Sequence, residues 1–151
     1  MWFTCKIKFN KVSEEGLMTK VQETYLLDAL SFTEAEARFL EEMAPFMNDE
    51  FEITDIKKTR VSELFTSVDS LADKWYKAVV ALITLDEKSG KEKRTNCPMY
   101  VQAANITDAL HNLHAGMQGS LSDYVVVSLA ETPILDVYPV KLDTETNENP
   151  A

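Results

Sequence analysis

Glycine, cysteine, histidine and positive charge are all scarce in this sequence of 151 residues. It has four glycines, two cysteines and two histidines, and 25 Asp and Glu residues outnumber 15 Lys and Arg residues, which gives a net charge of −10. None of the glycines fits a GxGxxG or Walker phosphate loop. A chain this acidic lacks the positive field that non-specific nucleic-acid binding requires. The composition therefore argues against a nucleic-acid polymer as partner.

Long hydrophobic runs are also missing. The longest runs, YVVVSLA and AVVALITL, are far shorter than the roughly 20 apolar residues that span a bilayer as a helix. The N-terminus alternates like a strand and does not resemble a secretory signal, and Cys5 and Cys97 have no CxxC or zinc-site spacing. We therefore expect a cytoplasmic protein with free thiols and no membrane partner. The alternative is an extracellular protein with one disulfide.

No group of residues has the spacing of a catalytic site. A nucleophilic cysteine needs a base and an oxyanion site, and Cys5 lies on the inward side of a predicted strand, where a structural thiol is the default. His111 and His114 follow Asp108 on a predicted helix. They could form a metal site, but an exposed helix flank is the preferred interpretation. We expect no enzymatic activity, no metal and no cofactor.

What the sequence does contain is an approximate repeat with a period near 73. Trp75 follows Trp2 by 73 residues, and Met117 follows Met43 by 74. Each copy shows two alternating strands, a helix and a third strand. We predict an α+β fold in which two pseudo-symmetric ββαβ repeats form one compact domain with an antiparallel sheet and two helices. The predicted bounds are 1–66 and 74–140 for the repeats, 67–73 for a linker and 141–151 for a flexible tail.

Both predicted helices have clear start signals. Ser31 followed by Glu34 is a capping box, and Asn105 followed by Asp108 places a cap and a first-turn carboxylate on the second helix. The third strand of the second repeat carries the run Val125–Val127, which is typical of a central strand or of a strand under an interface. The predicted buried faces are Phe32, Ala35, Phe39, Leu40 and Met43 on the first helix, and Ile106, Ala109, Leu110, Leu113 and Met117 on the second.

Two groups of basic residues stand out from the acidic background. The first is Lys57, Lys58 and Arg60, and the second is Lys88, Lys91, Lys93 and Arg94. They either solubilise an edge strand and a hairpin or form an anion-binding surface, in which Arg60 is the best bidentate phosphate donor. The second repeat has Pro133 at the position of Arg60. Any such site therefore belongs to one repeat, and a symmetric arrangement would need two chains.

The two tryptophans complete the candidate site. By strand alternation Trp2 and Trp75 point away from the face that carries the other inward residues, and Trp75 shares its face with Val79, Ala81 and Ile83. This second apolar face is covered by the other half of the chain, forms a subunit interface, or offers a stacking platform for a ring-shaped ligand.

Several segments resemble one known family. They are MWF at the start, DALSFTEAEARFLEEM, FEITDIKK, SELF, WYKA, ITLDEKSGKEK and ETPILDVYP. Through them residues 1–140 resemble domain-of-unknown-function family 4494, which occurs in gut Bacteroidetes, their phages and their mobile elements. The resemblance implies a cytosolic setting and a phage or mobile-element role, and it brings no site residues with it.

These observations favour a non-enzymatic oligomeric binding protein, a dimer or larger. It would sequester a small anionic or nucleotide-like ligand, in an anti-defence type of role, or bind a host protein. One alternative is an acidic interaction module that blocks a host partner. A third is an enzyme acting on a small phosphorylated substrate.

Overall fold

Two α-helices, eight strands and one 3₁₀ helix make up the computed structural model, which describes residues 1–47 and 50–140. The predicted tail 141–151 lies outside the described residues. None of the described helices is long and apolar enough to cross a membrane. In chain order the elements are β1 (Trp2–Val12), β2 (Met18–Asp28), α1 (Phe32–Met43), the 3₁₀ helix (Ala44–Phe46), β3 (Phe51–Thr59), β4 (Glu63–Phe65), β5 (Lys74–Leu85), β6 (Glu92–Ala103), α2 (Ile106–Met117), β7 (Asp123–Glu131) and β8 (Ile134–Tyr138).

The strands form two sheets of four, in the orders β3-β1-β2-β8 and β4-β6-β5-β7. The α+β class is confirmed, but the prediction of a single antiparallel sheet is wrong. The second sheet also contains a parallel pair, β4 with β6. Local periodicity missed β4 and β8 because they are only three and five residues long.

The chain divides into two units. Among the described residues, one comprises Met1–Thr59 together with 136–140, and the other comprises Arg60–Leu135. As a result β4 follows the first unit's strands in sequence but belongs to the second sheet, whereas β8 follows the second unit but belongs to the first sheet. The predicted linker 67–73 lies within the second unit, between β4 and β5.

In the first unit, α1 packs on the inner face of its sheet. Phe3, Cys5 and Ile7 alternate along β1 and are fully buried, as their spacing predicts. They form a core with Ala35, Phe39 and Met43 of α1, and partly buried Tyr138 of β8 packs against this core. Tyr138 stacks on Tyr25 of β2 with ring centroids 5.9 Å apart, so β8 contributes directly to the packing.

In the second unit, α2 packs on the corresponding strands. Ala78 and Val80 of β5 and Val101 of β6 are buried against Leu113 and Met117 of α2. Phe65 of β4 packs against the same cluster.

Each helix begins as its sequence predicts. The Ser31 side chain accepts from the Glu34 amide, and the Asn105 side chain accepts from the Asp108 amide. The predicted buried faces are too wide: Phe32, Leu40, Ile106 and Leu110 are exposed. One row of residues spaced by four is enough to cover a sheet face. That row is Ala35, Phe39 and Met43 in α1 and Ala109, Leu113 and Met117 in α2.

Strands β3 and β7 each end a sheet, and each contains an irregularity against its neighbour. The register between β1 and β3 shifts so that Thr54 is skipped, and the register between β5 and β7 shifts so that Val127 is skipped. The run Val125–Val127 therefore does not lie in a central strand, so the prediction of a central strand is wrong. It lies at a sheet edge, where Val125 and Val127 are exposed.

Candidate functional site

The first basic group lies beside Trp2. Antiparallel pairing sets Lys57 opposite Thr4 and Thr59 opposite Trp2, so all four side chains share the face of the sheet that points away from α1. Lys57 and Trp2 are diagonal neighbours, which in a sheet are about 7–8 Å apart. The Thr4 and Thr59 hydroxyls lie 2.5 Å apart between them. Trp2 is half-buried and Lys57 is exposed.

The same strand end carries two more cations. Lys58 lies opposite Phe3, hence on the face that carries α1, and Arg60 follows the end of β3. Both are exposed. The structure therefore sets Lys57 and Trp2 on the same face at one corner of the first sheet, with Lys58 on the opposite face. Arg60 is the first residue of the second unit.

Neighbouring lysines on this face differ from Lys57 in their cross-strand partners. Lys6 lies opposite Asp55 and Lys8 lies opposite Glu52, whereas Lys57 lies opposite an uncharged threonine. Among residues 1–47 and 50–140 the ion pairs join the N-terminal ammonium to Asp28 and Lys74 to Glu131. Lys57, Lys58 and Arg60 are in neither pair, so their charge is available to a ligand as far as the described residues show.

The second basic group lies on the hairpin between β5 and β6. Its turn is organised by Asp86, whose carboxylate accepts from the Lys88 amide and the Ser89 hydroxyl. These hydrogen bonds lower the pKa of Asp86, and Gly90 supplies the positive φ of 68° that the turn needs. Exposed on this hairpin are Lys88, Lys91, Lys93 and Arg94.

This hairpin is not close to Trp75. Arg94 pairs with Ile83, eight residues further along β5 than Trp75, which corresponds to about 27 Å of strand. Trp75 is only 3% exposed, so its ring offers no open face to a ligand.

The thiols and histidines have structural surroundings. Burial, together with the Asp55 charge, raises the pKa of Cys5 from 9.0 to about 12, which disfavours the nucleophilic thiolate. Cys97 is buried. His111 and His114 are exposed, and His114 Nδ1 lies 2.6 Å from the Tyr124 hydroxyl. Within the described part of the chain, no three His, Cys, Asp or Glu side chains are grouped as metal ligands.

Comparison with protein families gives one match. The model of a domain of unknown function, DUF4494, matches residues 1–140. The chain belongs to the DUF4494 family. This confirms the resemblance drawn from the sequence segments. No curated protein matches the chain. The description of the DUF4494 family names no activity.

Sequence reasoning missed an open cleft in the first unit of this DUF4494 domain. Its volume is about 530 Å³, and it lies between the outer half of the β1–β2 hairpin and the 3₁₀ helix. Tyr25 at its inner end donates a hydrogen bond to Glu23, and burial together with the Glu23 charge raises the Tyr25 pKa. No local pattern signals this cleft, since its lining comes from β1, β2 and the segment around the 3₁₀ helix, which are separated in the sequence. Its lining residues are Phe9, Asn10, Lys11, Val12, Glu23, Tyr25, Phe46 and Met47.

Proposed function

We propose that this chain is a non-enzymatic binding protein that captures a small anionic or nucleotide-like ligand at this corner, where Lys57 shares a sheet face with Trp2 and Arg60 follows the end of β3. The observation that supports this most directly is that Lys57 lies diagonal to a half-buried tryptophan and opposite a neutral residue. A ring-shaped group would stack on Trp2 while the cations bind a phosphate or carboxylate.

The donors at this corner differ in what they offer an anion. Arg60 provides a planar fork that suits a phosphate oxygen pair, whereas Lys57 and Lys58 act as point charges. Lys58 lies on the opposite face from Trp2, so Lys57 is the cation that reaches the same ligand as the ring. The whole chain carries a net charge of −10, which disfavours long polyanions and leaves a small anion as the better fit.

We extend the proposal to an oligomer. One chain offers one such corner, because Pro133 stands 73 residues after Arg60. A symmetric pair of sites therefore needs two chains. The family resemblance adds the remaining part of the proposal, a phage-encoded or mobile-element protein that sequesters its ligand in the host cytoplasm as an anti-defence measure.

We also infer that the two halves are copies of one unit. The skipped residues of the edge strands, Thr54 and Val127, lie 73 positions apart, which is the spacing between Trp2 and Trp75. If β1 to β3 correspond to β5 to β7, the two strand orders match, with β4 and β8 exchanged between the sheets. Duplication with exchange of the last strand accounts for these facts together.

A thermal-shift screen with nucleotides, cyclic nucleotides and inorganic phosphate tests the ligand proposal. A ligand that binds the folded protein raises the unfolding midpoint in proportion to the logarithm of its concentration. We expect the double variant Lys57→Gln/Arg60→Gln to lose the shift. The matched control Lys91→Gln/Lys93→Gln removes the same charge from the hairpin and should keep it.

Two results would count against the proposal. One is the absence of a shift with every compound in the screen, and the other is an equal loss of shift in both double variants, which would indicate a general charge effect. Mass spectrometry of the incubated ligand separates capture from turnover, since a binding protein returns its ligand unchanged.

A further inference from the structure

The cleft at the outer half of the β1–β2 hairpin contains a carboxylate on the inner face of its sheet. Glu23 lies opposite Ile7, which is fully buried, and two residues along β2 from buried Tyr25. Strand alternation therefore turns Glu23 toward the side of the sheet that α1 covers. Its side chain is half-buried. Burying a carboxylate even in part costs free energy unless hydrogen bonds or an opposite charge compensate.

The second unit shows that the fold does not need a charge at this position. If β1 to β3 correspond to β5 to β7, as inferred above, the register sets Cys97 in the place of Glu23 and Met99 in the place of Tyr25. Cys97 and Met99 are buried in the apolar core beneath α2. The same two strand positions are therefore filled by uncharged side chains in one unit, and packing alone does not explain the carboxylate and the phenol in the other.

Glu23 and Tyr25 together offer hydrogen-bond acceptors to a ligand. Tyr25 Oη donates to Glu23 Oε1 at 3.1 Å, which leaves Glu23 Oε2 and the lone pairs of the hydroxyl free to accept from a further donor. Lys11 is the basic residue of the lining, and it lies four residues along β1 from the strand partner of Glu23, about 13 Å of strand. Neither of the ion pairs found in the described ranges, 1–47 and 50–140, includes Glu23.

Two more carboxylates make the inner end of this cleft negative. Burial, together with the charges of Asp136, Glu42 and Glu23, raises the pKa of Tyr138 to about 12. Tyr138 stacks on Tyr25 with ring centroids 5.9 Å apart, so all three carboxylates lie close to this pair of rings. The charge at the inner end of the cleft therefore repels an anion and attracts a cation.

We propose that this cleft is a second binding site, which takes a small organic cation, namely a primary amine or guanidinium compound with an apolar or aromatic body. The cationic group donates to Glu23 and to the Tyr25 hydroxyl, and the body of the ligand lies against Phe9 and the exposed ring of Phe46. Aromatic faces add to the attraction for a cation. The volume of about 530 Å³ is within the range of small-molecule sites.

This site is separate from the corner proposed for the anion. Trp2 is the first residue of β1 and lies on the outer face of the sheet, whereas the cleft lies at the far end of β1 on the inner face. The charges of the two sites have opposite signs, so one ligand class does not suit both.

Isothermal titration calorimetry of the full chain with tyramine, agmatine and spermidine tests the cleft. We expect at least one of these amines to bind, and 4-hydroxyphenylacetate, which has a carboxylate in place of the ammonium of tyramine, to give no binding. Glu23→Gln should weaken the binding at least about tenfold, because a hydrogen bond to a charged group is lost. The matched control Glu52→Gln removes the same charge from β3 opposite Lys8, on the outer face, and should leave the affinity unchanged.

A second variant and a second measurement keep the result clear if Glu23→Gln does not fold. Phe46 is 71% exposed, so Phe46→Ala should fold and should weaken the binding roughly threefold through loss of the aromatic face. Chemical-shift mapping with the bound amine should move the backbone amides around Phe9 and Glu23 and leave those of β6 in place. The proposal is overturned if none of the three amines binds, if tyramine and 4-hydroxyphenylacetate bind equally, or if Glu23→Gln and Glu52→Gln weaken the binding equally.

Failure of the cleft can be told apart from failure of the anion proposal. Lys57→Gln/Arg60→Gln should bind the amines as the natural protein does, and Glu23→Gln should keep the nucleotide-dependent thermal shift. Absence of amine binding in a protein that shows this shift refutes the cleft alone, and amine binding without any nucleotide shift refutes the anion site alone.

Discussion

At the scale of single residues, Gly116 shows how closely α2 and β4 approach each other. A Cβ atom at this position would lie 2.5 Å from Cδ1 and 2.6 Å from Cε1 of the Phe65 ring, well inside van der Waals contact. Gly116 lies within a helix, where glycine is normally unfavourable. The glycine is therefore explained by the aromatic ring against it.

The substitution Gly116→Ala distinguishes the gain in helix propensity from the steric overlap with Phe65, because the two change stability in opposite directions. Helix propensity alone would stabilise the protein by about 1 kcal/mol, whereas the overlap with Phe65 should lower the free energy of unfolding by about 1–3 kcal/mol. We expect the loss to dominate in urea unfolding. The exposed neighbour Ala115→Ser is the control and should change stability by less than about 0.5 kcal/mol. A stabilised Gly116→Ala protein would show that the ring moves away freely.

The buried thiol of Cys5 predicts a dependence of stability on alkaline pH. Its pKa is raised from 9.0 to about 12 by burial and by the Asp55 charge. The thiol ionises in the unfolded chain before it does so in the folded protein. Its contribution to stability is therefore complete below pH 9.0 and is lost as the pH rises toward about 12.

Chemical denaturation between pH 8 and pH 11 checks this for the natural protein and for Cys5→Ala. Tyr138, whose pKa is raised from 10.0 to about 12, adds to the decline in both proteins. We therefore expect a shallower decline in Cys5→Ala above about pH 9 and a constant difference in stability below it. Equal slopes in the two proteins would contradict the assignment to Cys5.

At the scale of elements, the cap of α1 is a local device whose strength can be measured. Ser31 Oγ accepts from the Glu34 amide at 3.1 Å, and Glu34 Oε2 accepts from the Leu30 amide at 3.3 Å. Ser31→Ala removes the first bond and should lower stability by about 1 kcal/mol. Ser31→Asp keeps an acceptor at the cap and should retain most of the stability. Equal losses in the two variants, measured by urea unfolding, would mean that the cap bond is unimportant.

Local signals of this kind explain which elements the sequence could predict. The two helices with their caps, the alternation along β1 and the inward position of Cys5 all depend on neighbours within a few residues, and the structure confirms them. Strand β4 has three residues and pairs with a strand about 35 residues later, so no local pattern indicates it. The two-sheet arrangement was missed for the same reason.

The sequence likewise predicts some features of the candidate site and misses others. Lys57, Lys58 and Arg60 could be singled out from sequence because they cluster in an acidic chain, and Trp2 because the repeat marks it. The proximity of Lys57 to Trp2 depends on the register between β1 and β3, which the sequence alone does not reveal. The sequence singles out Trp75 as a ligand-binding residue, but its ring is buried. Strand alternation predicts the direction in which a side chain points and does not reveal what covers it.

At the scale of the whole molecule, the order of the strands in the sequence does not match the unit to which each strand belongs. The chain leaves the first unit at Thr59, builds the second unit from Arg60 to Leu135, and returns to the first unit at Asp136. Tyr138 then stacks on Tyr25, and Arg38 of α1 donates to the carbonyl of Pro139 at 3.3 Å. The first unit therefore includes the last described residues of the chain.

This arrangement predicts that Tyr138→Ala and Phe65→Ala each destabilise the sheet that is more distant in the sequence. Tyr138→Ala lies late in the sequence but should loosen the first sheet, since it removes the ring that stacks on Tyr25. Phe65→Ala lies early but should loosen the second sheet, since Phe65 packs against the core beneath α2. For these half-buried rings we expect losses of about 2 kcal/mol each, below the range for fully buried aromatics.

Hydrogen exchange monitored by residue shows where each loss is felt. Tyr138→Ala should accelerate exchange in β2 (Met18–Asp28) and leave β6 (Glu92–Ala103) unchanged, and Phe65→Ala should do the reverse, because exchange reports local opening of the unit that has lost packing. Exposed Val68→Ala, close to Phe65 in the sequence, is the control and should change neither strand. If each ring substitution instead accelerated hydrogen exchange in the sheet nearer to it in sequence, the assignment of β4 to the second sheet and β8 to the first would be wrong. Equal acceleration in both sheets by either variant would also contradict the prediction that each ring stabilises one unit.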